Sequence, residues 1–327
     1  MRKIVKIIAI YFIAVILIGL VAIFSYDRYQ LSKESKLLDT NGTLVEVDHQ
    51  KINVYTEGDG QDTYVFMAGS GVAAPIYELK GLYSKFSQGH KIAVIERAGY
   101  GYSDVSKDER DIDTLLAQTR EALLKSGNKP PYIVVPHSIS GVEAIYWAQK
   151  YPEEIKGIIA LDIGLPSQYA EHKMGVIDLW TVKGMNLLTK LGVHRLTPSQ
   201  VYNPEVMKQP FLSEEEKEIY KALSYKQVFN DDMKNELLHV YENSLKSEAL
   251  PKPKETPILL IDAIAEQNKD SKFTKYHSQK YAEFAKQINI AEVKELNGTH
   301  SIYLYKPDEI YNLAIAFMET KVGSKER

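Results

Sequence analysis

The chain contains no cysteine. That absence removes disulfides, thiolate metal sites and cysteine nucleophiles together, and an oxidising compartment would cost such a chain nothing. It also lacks an excess of charge of either sign. Over 327 residues, 40 Lys and Arg stand against 43 Asp and Glu, so no basic surface able to hold nucleic-acid phosphates is implied, and nucleic acid is not an expected partner. The eight histidines show no His-Glu-x-x-His or other paired spacing. Metal catalysis is left without support, and neither a metal nor another cofactor is expected.

What the chain does have is one long apolar run. From Ile7 to Phe24 eighteen residues carry no charge, and a helix of that length spans roughly 27 Å, close to the hydrocarbon core of a bilayer. Arg2, Lys3 and Lys6 precede it, so the positive-inside bias keeps the N-terminus in the cytoplasm and sends the rest outside. No pair of small residues at a signal-peptidase spacing follows the run, which favours an uncleaved single-pass anchor in the cell membrane over a signal peptide. The expected organisation is an anchor at 1–25, a polar tether at 26–40, one domain at 41–320 and a charged tail at 321–327. A single α/β core with insertions accommodates this length.

Along that domain, the alternating runs Leu44 to Asp48 and Lys51 to Tyr55 read as an antiparallel pair turning at His49-Gln50. Continuous apolar strands follow at Tyr64 to Ala68, Lys91 to Ile95, Tyr132 to Val135, Ile155 to Leu161, Thr256 to Ile261 and Ile290 to Leu296, with helical periodicity between most of them. Such alternation predicts a mostly parallel sheet covered by helices on both faces. From about 165 to 250 the strand signals stop and only helical patterns remain, one of them opened by the capping box Ser213 to Glu216.

The stretch from Tyr132 to Tyr151 turns from a short apolar strand directly into a helix, with Ser138 at the corner in Pro136-His137-Ser138-Ile139-Ser140. A corner serine is held up from the sheet edge beside free helix N–H groups. This stretch resembles the nucleophile elbow of the α/β-hydrolase family, usually Gly-x-Ser-x-Gly, although Pro136 and Ser140 replace both glycines and Gly141 restores a small residue one place later. Glu96-Arg97-Ala98-Gly99-Tyr100-Gly101-Tyr102-Ser103, about 40 residues earlier, is similar to the family's Asp-x-x-Gly-x-Gly-x-Ser segment.

The resemblance implies a mostly parallel eight-stranded sheet flanked by helices, with the 165–250 segment as a helical cap. Leu179, Trp180, Met185, Leu188 and Phe211 are expected to line the underside of that cap and exclude water from a substrate pocket. The resemblance further implies Ser138 as nucleophile, with an oxyanion hole from the N–H groups of Ser70, in Gly69-Ser70-Gly71, and of Ile139. A serine needs an imidazole to take its proton and a carboxylate to orient the imidazole. His300, after the last strand, stands where the family keeps its histidine. Matching strand ends puts Glu266 first as the acid, Asp262 second and Asp162 third.

The activity so implied is hydrolysis of a small-molecule ester or amide through an acyl-enzyme on Ser138. Two alternatives stay open. One is an aminopeptidase of the same fold, with Glu171, Asp178 and Glu205 of the cap available for a free amine. The other is a binding protein that kept the fold and lost the chemistry, motivated by the altered glycines.

Overall fold

The computed structural model describes residues 2–106 and 108–321. The eight strands are β1 (Thr43–Val47), β2 (Gln50–Glu57), β3 (Thr63–Met67), β4 (Lys91–Glu96), β5 (Tyr132–Pro136), β6 (Ile155–Leu161), β7 (Ile258–Ala263) and β8 (Ala291–Leu296). They form one sheet in the order β1-β2-β4-β3-β5-β6-β7-β8. β1 and β2 are antiparallel to their neighbours, and every pair from β4 onward is parallel. The hairpin between β1 and β2 turns at Asp48-His49, one residue earlier than the alternation suggests. Both turn residues have positive φ, which lets a two-residue loop follow the strand twist.

Helix α1 (Arg2–Glu34) precedes the sheet. The others are α2 (Pro75–Glu78), α3 (Lys80–Phe86), α4 (Ile112–Lys125), α5 (Ser140–Lys150), α6 (Pro166–Ala170), α7 (Val176–Lys190), α8 (Pro204–Lys208), α9 (Glu214–Gln227), α10 (Asp231–Glu248), α11 (Lys272–Ala285) and α12 (Pro307–Lys321). Both sheet faces are covered because successive side chains of a strand point to opposite sides. In β5, Ile133 and Val135 join one core and Tyr132 and Val134 the other. Each fully buried aliphatic side chain of this kind contributes roughly 1.5–3 kcal/mol.

Between β6 and β7 the chain leaves the sheet for α6 to α10. A buried ionic cluster joins this region to the core: Glu236 of α10 accepts from Arg97 at 3.2 Å, from Arg110 at 3.1 Å and from the Tyr100 hydroxyl at 2.7 Å. The expected lining of the cap differs from what is found. Trp180 is 72% exposed, and Met185 and Leu188 are about half exposed. Phe211 instead lies over Gly81, where any Cβ would meet its ring at 2.6 Å.

α1 is long and apolar enough to cross a membrane, and none of its apolar window is buried against the protein. The helix runs on through Glu34, so most of the expected tether is helical. Its last turns dock on the cap. Arg195 donates to Asp27 at 2.8 Å and to both oxygens of Glu34 at 2.6 and 2.7 Å, and Asp27 is fully buried. Of the expected tail, residues 322–327 lie outside the described residues.

Candidate active site

Ser138 follows β5 in the left-handed region, with φ at 57°. A non-glycine residue there is strained, and such strain persists only where its surroundings hold it. The holding groups are visible. The Ser138 carbonyl accepts from the N–H of Gly141 at 3.1 Å and of Gly164 at 3.0 Å, and Ser138 N–H donates to Leu161 at 3.3 Å. Ser138 is half-buried at the wall of a cleft of about 810 Å³, which His300 also lines.

The structure explains how the corner tolerates its two missing glycines. The Ser140 hydroxyl accepts from His137 N–H at 2.9 Å and faces the carbonyls of His137 and Met67 at 2.8 and 2.9 Å, so it stitches β3 to the turn. The close helix approach is moved to Gly141, where a Cβ would meet Ile163 at 2.4 Å. Pro136 ends β5 opposite Met67 and leaves the ladder intact up to that pair.

Gly69 passes directly against the corner. A Cβ at this position would lie 2.8 Å from both Ser138 Cβ and His137 Nδ1, which is why only glycine fits. The next N–H, that of Ser70, has no acceptor among the described residues, and neither has the N–H of Ile139 at the start of α5. Arg97 steadies the same loop by donating to the Ala68 carbonyl at 2.9 Å.

His300 meets a carboxylate, but not the one matched first. Its Nδ1 lies 2.6 Å from Asp162 Oδ2. Glu266, the first expectation, is exposed in the short 3₁₀ turn after β7 and forms no bond with His300. Asp262, the second, is buried at the end of β7, where it accepts from the Ser278 hydroxyl at 2.5 Å. Asp162 follows β6 with φ at 45°, and its Oδ1 accepts from Ala263 N–H at 3.0 Å. The acid facing the imidazole therefore comes from the end of β6.

Burial opposes the charge on Asp162, but hydrogen bonds from His277 and His300 outweigh it and hold the carboxyl well below the usual range. An ionised Asp162 accepts from Nδ1–H, which leaves the His300 Nε2 lone pair free. The imidazole is more than half exposed to the cleft.

Two histidines that spacing did not single out complete the cluster. His137 Nε2 donates to the His300 carbonyl at 3.0 Å, with the rings 4.6 Å apart. Burial, then the neighbouring His300 ring, pushes the His137 imidazole down to about 3, so it is neutral at physiological pH. On α11, His277 Nδ1 faces the Gln168 amide nitrogen at 3.0 Å. That nitrogen can only donate, so the His277 proton sits on Nε2, 3.4 Å from Asp162 Oδ1. The one available signal in the chain was the spacing of His277 and Tyr281 on one face of α11.

Asp162, Asp262 and His277 bring ligand atoms within 4.8 Å of one another. Three of the four carboxylate oxygens face His300, Ala263 N–H and the Ser278 hydroxyl, which ties the grouping together as a hydrogen-bond cluster. The acidic residues of the cap are also already partnered: Glu171 with Lys280 and Tyr276, Asp178 with the Gly175 N–H, and Glu205 with Lys208. Tyr169, His172, Phe273 and Tyr276 form much of the cleft wall instead.

Comparison with known proteins gives three findings. The family model described as alpha/beta hydrolase fold matches residues 68–307. The uncharacterized protein YbdG of Bacillus subtilis is 60% identical over 316 residues, covering 97% of each chain. Among solved structures, an epoxide hydrolase from Vigna radiata has a TM-score of 0.64 at 18% identity, covering 85% of this chain and 97% of its own. An esterase from Exiguobacterium antarcticum has a TM-score of 0.62 at 14% identity, covering 86% of this chain and all of its own.

Proposed function

The chain belongs to the alpha/beta hydrolase fold family, and from that premise we propose that it is a membrane-anchored serine hydrolase cleaving carboxylic esters through an acyl-enzyme on Ser138. The observation that carries the reading is the pairing, in one cleft, of a corner serine at positive φ with a histidine whose Nδ1 is held 2.6 Å from a buried aspartate.

In this reading His300 Nε2 takes the Ser138 proton as Oγ attacks the ester carbonyl. Asp162 keeps the proton on Nδ1 and stabilises the imidazolium that forms. The free N–H groups of Ser70 and Ile139 receive the oxyanion of the tetrahedral intermediate, and donors of this kind are worth roughly two to three orders of magnitude each. His300 then returns the proton to the departing alcohol. Water attacks the acyl-enzyme by the same route, releasing the acid and restoring Ser138.

The epoxide hydrolase and esterase likenesses support the fold alone, and Ser138 favours acyl transfer over displacement by a carboxylate nucleophile. The apolar exposed run of α1 supports a span that leaves the catalytic body on the extracytoplasmic side. The test is labelling of the full-length protein in detergent by a fluorophosphonate, followed by turnover of p-nitrophenyl esters of increasing chain length. Labelling that disappears in Ser138→Ala is expected. A folded native protein that neither labels nor turns over any ester would overturn the proposal.

A further inference from the structure

Helix α7 is amphipathic in the inverted sense. Asn186, buried at 4% exposure, marks the side that faces the protein and donates to the Phe229 carbonyl. The opposite half of the helix, by its 3.6-residue period, carries Ile177, Trp180, Met185, Leu187 and Leu188. These are respectively 81, 72, 50, 57 and 49% exposed. Apolar stripes on surface helices ordinarily face the core, and a contiguous exposed one marks an interaction surface.

Its position supplies the partner. α7 ends at Lys190, and two residues on, at Gly192, a Cβ would lie 2.7 Å from Asp27 Cβ and 3.2 Å from the Ile23 carbonyl of α1. Ile23 and Phe24 close the uncharged run that begins at Ile7. The C-terminal end of the stripe is thus fixed against the turn where α1 passes from apolar to polar sequence, and the Arg195 grip on Asp27 and Glu34 keeps it there. For a span by α1, that turn is the bilayer surface. We infer that α7 lies in the interface of the same bilayer, with its outward apolar face among the lipid headgroups and upper acyl chains and Trp180 at headgroup depth. The inference rests on the anchor reading of α1 and adds a second, independent membrane contact contributed by the cap.

The molecule carries its own probe, because its other tryptophan, Trp147, is fully buried and bonded to Glu154. The full-length protein is reconstituted into phosphatidylcholine and phosphatidylglycerol vesicles, with and without acyl chains brominated near the headgroup. Tryptophan emission is compared between the native chain and Trp180→Phe. The expected result is that most of the Trp180 difference signal is lost in brominated bilayers and that it resists quenching by aqueous iodide. Retention in the bilayer with Trp180 open to iodide overturns this inference and leaves the anchor standing. Shielding from iodide without bromine quenching means that protein covers the face, and also overturns it. Release of the protein from membranes by alkaline carbonate removes the anchor reading and this inference together.

Discussion

Replacing Asp162 by asparagine keeps the side chain's shape and deletes its charge, and the structure says which way the new amide must turn. Asp162 Oδ1 accepts from Ala263 N–H at 3.0 Å, while Oδ2 faces His300 Nδ1 at 2.6 Å. The asparagine has one oxygen, and the backbone donor claims it. The amide NH₂ is then directed at His300 Nδ1, which must present a lone pair, so the imidazole proton moves to Nε2. In that tautomer Nε2 cannot accept from Ser138. The expected loss is about four orders of magnitude in kcat, roughly 5 kcal/mol of barrier, with the fold retained. Steady-state hydrolysis of a short p-nitrophenyl ester reads the loss, fluorophosphonate labelling rates isolate the first step, and thermal melting confirms that the variant is folded. Glu266→Gln and Asp262→Asn run alongside and are expected to stay within roughly tenfold of the native rate. Full activity in Asp162→Asn, with collapse in Glu266→Gln, would refute the reasoning.

Three further outcomes follow from the same geometry. Gly69→Ala places a Cβ 2.8 Å from Ser138 Cβ, so the loop must shift; a loss of about two to three orders of magnitude in kcat is expected, against a modest drop in melting temperature. Glu236→Gln leaves the buried guanidinium groups of Arg97 and Arg110 short of charge, which costs about 3–5 kcal/mol in urea unfolding; an unchanged midpoint would dismiss the cluster as a tie between cap and core. His137, at about 3 when folded against an ordinary 6.5, takes up its proton on unfolding. Stability is therefore full above that ordinary value and falls below it, by about 2 kcal/mol at about pH 5, and the slope shrinks in His137→Gln.

The strand positions, the corner serine and the histidine after β8 were legible because each leaves a local mark: an apolar run, an abrupt strand-to-helix switch, a turn before the closing helix. The acid left no such mark. β6 and β7 are neighbours, with Leu161 opposite Ile261, so Asp162 and Asp262 emerge side by side. Which of them meets the imidazole is decided by backbone conformation, with Asp162 at a φ of 45° while Asp262 continues its strand. Composition does not encode that choice. The cap failed differently, since an apolar stripe reads the same whether it faces inward or outward. Only the burial of Asn186 and the exposure of Trp180 show which side of α7 faces the protein.

The grip of Arg195 on Asp27 and Glu34 removes slack. A flexible leash would let the catalytic body sweep a hemisphere and sample molecules far from its root. An unbroken helix clamped to the cap works as a mast: wherever its first turns are planted, the body rides at one height and one tilt, and the mouth of the cleft keeps a constant bearing toward whatever arrives.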